Sequence, residues 1–339
     1  MRSNALIFGV SLLVAVLTGS VVAGSASATP GASTADSSGP VAAPDGSRIT
    51  SVVMQTPTRA KVQVYSVAMR RSIPVSVLLP RDHSQPRPTL YLLDGIDGGE
   101  YTNYTESGWT EHSDVVRFMA DKQVNVVMPI GGTASYYTDW LSRDPVLGRN
   151  KWESFLAKEL PPLIDARFNG NGNNVIGGLS MGALGATSIA VRHPELYTGV
   201  ASFSGCLDQS TPELRQATAG TIISRGGNPD NMWGPVQSPI WSAHDPSEQV
   251  SALRGKKIFV SVGNGLPDPA LGIAGISTPA GGAIEGIALQ CTHRFRAKAE
   301  RAGVHATYYY HPGVHAWGYW NRDLHRSWPT IASALKVPV

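Results

Sequence analysis

The chain has 339 residues, 28 Lys+Arg against 25 Asp+Glu for a formal net charge of +3, and 42% hydrophobic against 16% charged residues. Those proportions exclude a chain disordered throughout; one long apolar run, near the N-terminus, excludes a polytopic membrane protein; and a near-neutral balance without Lys/Arg runs excludes nucleic acid as the expected partner. With 36 Gly and 24 Pro, a loop-rich α/β enzyme of one large domain is expected rather than a helical bundle.

In chain order, residues 1–28 read as an export signal: Arg2, an apolar stretch from Ala5 to Ala23, and Ala26-Ser27-Ala28 as a small-x-small cleavage site before Thr29. Residues 29–48, rich in Ala, Ser, Gly, Thr and Pro without apolar periodicity, are expected to be a flexible leader, and 49–339 the folded domain. Export places the protein outside the cell or in its envelope, where two cysteines usually pair, so a Cys206–Cys291 disulfide is expected. Their spacing matches no zinc or thioredoxin-like motif.

From Ile49 on, strand-like and helix-like segments alternate. Lys61–Ala68 and Ile73–Leu79 read as an antiparallel opening pair. Thr89–Asp94, Asn125–Ile130, Asn174–Gly178, Val200–Phe203, Lys257–Val262 and Ala306–Tyr310 are short apolar runs that suit strands buried on both faces. Helices are expected over Trp152–Phe168, interrupted by Pro161 and Pro162, and over Ala183–Arg192, Gly286–Gly303 and Asp323–Leu335. The alternation predicts an α/β fold with a central, mostly parallel sheet and helices on both faces.

Gly178-Leu179-Ser180-Met181-Gly182 is a G-x-S-x-G pentapeptide between a predicted strand and a predicted helix, the context a nucleophile elbow requires. Ser180 is the candidate nucleophile, placed at a helix N-terminus whose dipole favours developing negative charge. The α/β-hydrolase chain order then asks for an acid and a His in a loop after the last strand. Of nine histidines, His311 and His315 meet that position; His311 closes the Tyr-rich strand, and His315, in the loop beyond it, is preferred. For the acid, Asp268 after the penultimate strand and Glu285 at the expected start of the next helix both fit, and spacing leaves them open. Oxyanion donors are expected from the backbone N–H of Met181 and, in the Gly-rich loop after Thr89–Asp94, of Ile96.

The segments LLDGI (92–96), SGW (107–109), MPIGGTASYYTDW (128–140), GLSMGA (178–183), NMWGP (231–235), GNG (263–265) and GVHAWGYW (313–320) resemble, in order and over nearly the whole domain, the antigen 85 mycolyltransferases of mycolate-bearing actinobacteria. The resemblance implies an α/β-hydrolase fold and a secreted acyltransferase that moves a mycoloyl chain from trehalose monomycolate to another acceptor. It carries the catalytic roles to Ser180, Glu285 and His315, so Glu285 rather than Asp268 becomes the acid. It also puts the oxyanion donors on Ile96 and Met181, and trehalose contacts on Asp94 and Trp317. The family's trehalose-contacting Arg is Asp97 here, the residue after the His is Ala316, and Asp114–Val124 does not match the aromatic segment linked to fibronectin, so fibronectin binding is not expected.

The expected partners are therefore trehalose mycolates and other envelope acyl acceptors, with no metal and no cofactor. A carboxylesterase using water with the same residues is the competing reading; an adhesion-type envelope protein that retains only the fold is the third.

Overall fold

The structure is a computed structural model that describes residues 41–82, 84–271 and 279–339. The signal expected over 1–28, and the leader expected over 29–48 as far as residue 40, lie outside the described residues. From Val41 the chain is already tied down. The Ala43 N–H bonds to Ser47 O, the Ile49 N–H to Val41 O, and Ala42 bridges Arg48. Ser47 is buried with both its N–H and its hydroxyl on Asp45 Oδ1. Residues 41–48 are thus a turn that feeds the first strand rather than leader.

The strands are β1 (Arg48–Thr56), β2 (Arg59–Ser66), β3 (Arg71–Leu78), β4 (Arg87–Leu93), β5 (Asn125–Pro129), β6 (Gly170–Leu179), β7 (Tyr197–Phe203), β8 (Lys257–Gly263) and β9 (Thr307–His311). In the described residues they form a nine-stranded sheet in the order β1-β2-β3-β5-β4-β6-β7-β8-β9. The pairs from β1 through β3 to β5 are antiparallel; β5, β4 and β6 to β9 run parallel. β1 is an edge strand. Ile49 is its one buried residue, so neither alternation nor a continuous apolar run marks it.

Helices that bear on the site are α1 (Gly108–His112), α2 (Leu160–Phe168), α3 (Met181–Arg192), α4 (Pro212–Ile223), α5 (Pro279–Arg301) and α6 (Trp317–Leu335). The interruption expected at Pro161 and Pro162 takes the form of a π turn over Phe155–Glu159, just before α2. A wider turn accommodates the missing N–H groups and the proline rings, which would collide with carbonyls four residues back.

The sheet is covered on both faces, as the fold expectation requires. β4 shows why its run reads as continuously apolar. Tyr91 and Leu93 join the core that holds Leu184, Ile189 and Phe295 of α3 and α5, while Leu90 and Leu92 join the core that holds Leu324, Trp328 and Ile331 of α6. Side chains alternate between faces, and both faces are buried. Each such side chain is worth about 1.5–3 kcal/mol of burial. That cost of disruption fixes the strand ends, and the strand ends carry the site. No helix among the described residues is long and apolar enough to cross a membrane.

Candidate active site

β6 ends at Leu179 and α3 begins at Met181, so the whole reversal is made by Ser180, at φ 52 and ψ −119. For a residue with a side chain this is a strained conformation, held because the surroundings over-determine it. A Cβ on Gly178 would come within 2.5 Å of the Gly182 carbonyl carbon and oxygen, and one on Gly182 would collide with the Asp94 carbonyl. The two glycines of the pentapeptide are therefore dictated by contact between the arms of the elbow and the end of β4.

His315 bridges the two other predicted residues. Its Nδ1 lies 2.7 Å from Glu285 Oε2 and its Nε2 lies 2.7 Å from Ser180 Oγ. With Nδ1–H donating to the carboxylate, Nε2 is left as the acceptor for the serine hydroxyl, the tautomer a general base needs. Glu285 is fully buried, and its other oxygen accepts from Ser204 Oγ at 2.7 Å and from the Gly263 N–H at 2.6 Å. Ser204 in turn accepts from Trp320 Nε1 at 3.0 Å, and the Trp320 ring stands edge-on to His315 at 4.9 Å. Ser204, Gly263 and Trp320 were not foreseen. Their partners lie 81, 22 and 116 residues away in the chain, and no local pattern marks such a shelf.

Glu285 was expected to open its helix. Instead α5 begins at Pro279, and Glu285 sits in its second turn. The rejected candidates are placed elsewhere. Asp268 pairs with Arg322 at 2.8 Å, and His311 Nε2 lies 3.0 Å from Asp323 Oδ2.

The Met181 N–H is the first of α3 and has no intrahelical acceptor. The Ile96 N–H makes no hydrogen bond among the described residues, while the Ile96 carbonyl accepts from Ala134. A Cβ on Gly95 would lie 3.8 Å from Ser180 Cβ, so the 95–96 loop runs directly against the serine. The Met181 N–H follows Ser180 directly, and the Ile96 N–H is one residue beyond the Gly95 contact.

Asp94 and Trp317, implied as trehalose contacts, differ in fate. Asp94 is fully buried, and its carboxylate accepts from Ser107 Oγ at 2.9 Å, the Gly108 N–H at 3.1 Å and the Trp109 N–H at 3.3 Å. It anchors the start of α1. Burial first, then the charge of Asp97, push its carboxyl up to about 7 against those hydrogen bonds. Trp317 is half-buried at the start of α6, edge-on to Trp109 at 5.5 Å and Trp320 at 5.3 Å, and packed over Gly108.

The expected disulfide is present between Cys206 and Cys291, with Cα atoms 4.9 Å apart. It joins the segment after β7 to the middle of α5. Lys298 and Arg294, further along that helix, lie 3.2 Å and 3.4 Å from the buried Asp208 carboxylate.

Beside Ser180 and His315 opens an apolar cavity of about 400 Å³, walled by Leu184, Leu214, Ala217, Ile284, Ile287 and Ala288. α4, which supplies one wall, was not predicted, although Thr211 caps it on the Leu214 N–H and Pro212 takes its first position, a Thr-Pro start signal legible in the sequence. At Ser224 the cavity adjoins a second cleft of about 670 Å³, lined by Arg71, Glu100, Tyr104, Thr133, Asn150 and Arg225 among others. Among the described residues no cluster of three or more His, Cys, Asp or Glu side chains is arranged to hold a metal ion.

Residues 66–331 match the esterase family. The chain is 32% identical over 288 residues to the diacylglycerol acyltransferase/mycolyltransferase Ag85A of Mycobacterium leprae, covering 81% of this chain and 82% of the relative. It is 33% identical over 262 residues to the diacylglycerol acyltransferase/mycolyltransferase Ag85B of Mycolicibacterium smegmatis, covering 73% and 77%. Among solved structures it is similar to MPT51 (FbpC1) of Mycobacterium tuberculosis, with a TM-score of 0.67 and 27% identity over 80% of this chain and 96% of that one. An S-formylglutathione hydrolase of Agrobacterium tumefaciens has a TM-score of 0.63 over 85% and 99% of the two chains at 17% identity, a likeness of fold alone.

Proposed function

This chain belongs to the esterase family, in its mycolyltransferase group, and from that premise we propose that it is a secreted enzyme that moves a mycoloyl chain from trehalose monomycolate to a second sugar hydroxyl through an acyl-serine intermediate. The observation that carries the reading is His315 bridging Ser180 and Glu285 at 2.7 Å on each side.

In the proposed cycle His315 Nε2 takes the Ser180 proton as Oγ attacks the donor ester carbonyl. The oxyanion forms against the N–H groups of Met181 and Ile96, and Glu285 balances the imidazolium. Collapse breaks the bond to the sugar oxygen, which leaves with the proton from His315, and the chain stays on Ser180 as an ester. An acceptor hydroxyl gives its proton to His315 and attacks that ester; the second collapse returns the proton to Ser180.

The apolar cavity suits the acyl chain, and the polar cleft that adjoins it at Ser224 suits a sugar head group. Trp317 remains a candidate surface for a pyranose ring. Asp97, where relatives of this type carry an Arg by resemblance, together with the buried Asp94, favours a weaker grip on the sugar and gives the competing reading, hydrolysis by water at the same serine, its one specific support.

The test is incubation of the mature protein with trehalose monomycolate and separation of the products. Dimycolate should dominate over free acid, and Ser180→Ala should yield neither while retaining the melting temperature of the native protein. Free acid as the main product would select the esterase reading; undiminished turnover by the variant would remove Ser180 from the chemistry.

A further inference from the structure

α5 is apolar on two sides. It turns Glu285, Ala288, Cys291 and Phe295 inward, where all four are buried, and the stripe Ala280, Ala283, Ile284 and Ile287 outward. The spacing of that outer stripe is the one by which a helix ordinarily faces a core. Here it faces solvent: Ile284 is 48% and Ile287 41% exposed, although both also wall the cavity beside Ser180. These two residues therefore mark the mouth of the cavity.

The opposite lip of the mouth belongs to α4 and is built alike. From Gln216 to Ser224 the exposed residues are Gln216, Ala217, Gly220, Ile223 and Ser224, and Ala217, Gly220 and Ser224 also line the cavity. Ile223 is 57% exposed beside them. On α5 the exposed residues from Ala280 to Gln290 are likewise all uncharged. Beyond α4 the patch continues. The Ile223 carbonyl accepts from the Gly226 N–H at 2.9 Å, and a Cβ on Gly226 would lie 3.4 Å from the exposed Val146. Arg225 pairs with Glu100 at 2.5 Å, which neutralises both charges and brings the exposed Tyr101 to the same rim. Single exposed apolar residues are ordinary, but a run of them around the mouth of one cavity marks a surface that meets something.

Whatever covers this face must leave the mouth usable. A protein partner or a second copy seated across α4 and α5 would seal the way to Ser180. A lipid layer would instead supply the cavity with its contents. An acyl chain can pass from such a layer into the cavity without entering water, and each methylene kept out of water is worth a factor of about four. The uncharged lips lose no ion hydration when they are pressed into the layer.

We propose that the two lips, α4 from Gln216 to Ser224 and α5 from Ala280 to Ile287, form with Tyr101 a docking face for an uncharged lipid surface, from which the acyl donor is taken directly. The proposal rests on the reading of the cavity as the acyl site.

The test uses the mature protein and vesicles of phosphatidylcholine, which carry no net charge. Wild type should sediment with them equally at about 0.05 and 0.5 M salt, because screening has no ion pair to weaken. Ile223 and Tyr101 line neither the cavity nor the polar cleft. Ile223→Asp and Tyr101→Asp should each lower the partition onto vesicles roughly tenfold, and with it the rate on a palmitoyl p-nitrophenyl ester carried in them. Their kcat/KM on a dissolved butyryl ester should stay within about twofold of wild type. Val339, 81% exposed and beyond the far end of α6 from Trp317, gives the control: Val339→Asp should bind as wild type does. Absent binding by wild type, equal binding by all four proteins, or binding only to anionic phosphatidylglycerol vesicles at low salt would each overturn the proposal. So would a dimer in sedimentation velocity that Ile223→Asp dissolves while vesicle binding persists, since the face would then belong to a second copy. Ser180→Ala should dock as wild type does and turn over neither ester, so that a failure of docking and a failure of Ser180 as nucleophile are read separately.

Discussion

Glu285 and Asp268 were equivalent by chain order, and their surroundings separate them. Glu285 has one oxygen on His315 and the other on two donors, all within 2.7 Å, whereas Asp268 is spent on Arg322 at the rim. The reading of Glu285 as the acid predicts that Glu285→Gln lowers kcat by up to about 10⁴, because the amide no longer fixes the tautomer or balances the imidazolium. Asp268→Asn should cost far less. Single-turnover kinetics on both variants checks the order, and a larger loss in Asp268→Asn would sink the assignment. Asp94 carries a second expectation. Its carboxyl rises from 3.8 in the ordinary case to about 7 in the fold, so the folded state holds a proton that the unfolded chain releases between those values. Its stabilising contribution is complete below the lower value and is lost as pH rises through the upper one. Urea unfolding at a series of pH values should show stability falling across that window in the native protein and a flatter profile in Asp94→Asn. The same variant should be about 1–3 kcal/mol less stable at low pH, since its amide group faces an N–H where the carboxyl accepted one.

At the scale of elements, α5 carries the acid and is held in mid-span. Cys291 ties it to Cys206 across 85 residues of sequence, and Arg294 and Lys298 lean on Asp208. Closing a loop of that length removes at most ~4.5 kcal/mol worth of freedom from the unfolded chain. The bond also acts in the folded state, because it sits two turns beyond Glu285 on the same helix. Reduction, or Cys206→Ser, should therefore lower kcat at temperatures below the onset of global unfolding, as followed by activity and near-ultraviolet circular dichroism on the same sample. Coincident loss of both signals would show that the bridge contributes to overall stability alone. α4 gives the complementary case. Its Thr-Pro start was legible, but its importance was not, since its apolar face lines a cavity whose other walls run from Tyr136 to Ala288.

At the scale of the molecule, the cavity beside Ser180 exists because segments on either side of β7 and β8 return over the same sheet edge. α3, α4 and α5 each supply a wall. Ala217 is one of its smallest wall residues. Ala217→Trp should fill the space and leave three or four methylenes of a long acyl chain in water, at about 0.8 kcal/mol each, or roughly a hundredfold in kcat/KM. Butyryl esters should react almost as before. Comparing butyryl and palmitoyl p-nitrophenyl esters measures the difference, and equal losses on both would place the acyl chain elsewhere.

The parts of this protein that sequence alone determined are those set by contact between near neighbours in the chain. The buried strands were visible because both faces of each are covered. The elbow was visible because Gly178 and Gly182 press against each other across the three residues between them, and the same local steric demand marks the serine. Chain order and resemblance then singled out Glu285 and His315 and implied Asp94 as a trehalose contact, while its burial beneath α1 came from the fold. Tertiary structure alone decided the start of α5, the edge strand β1, the shelf of Ser204, Gly263 and Trp320, and the partners that His311 and Asp268 found in Asp323 and Arg322. Each joins groups tens of residues apart, and hydrogen bonds and charge balance across such distances leave no period or spacing in the sequence, because their geometry exists only once the sheet has brought the loops together.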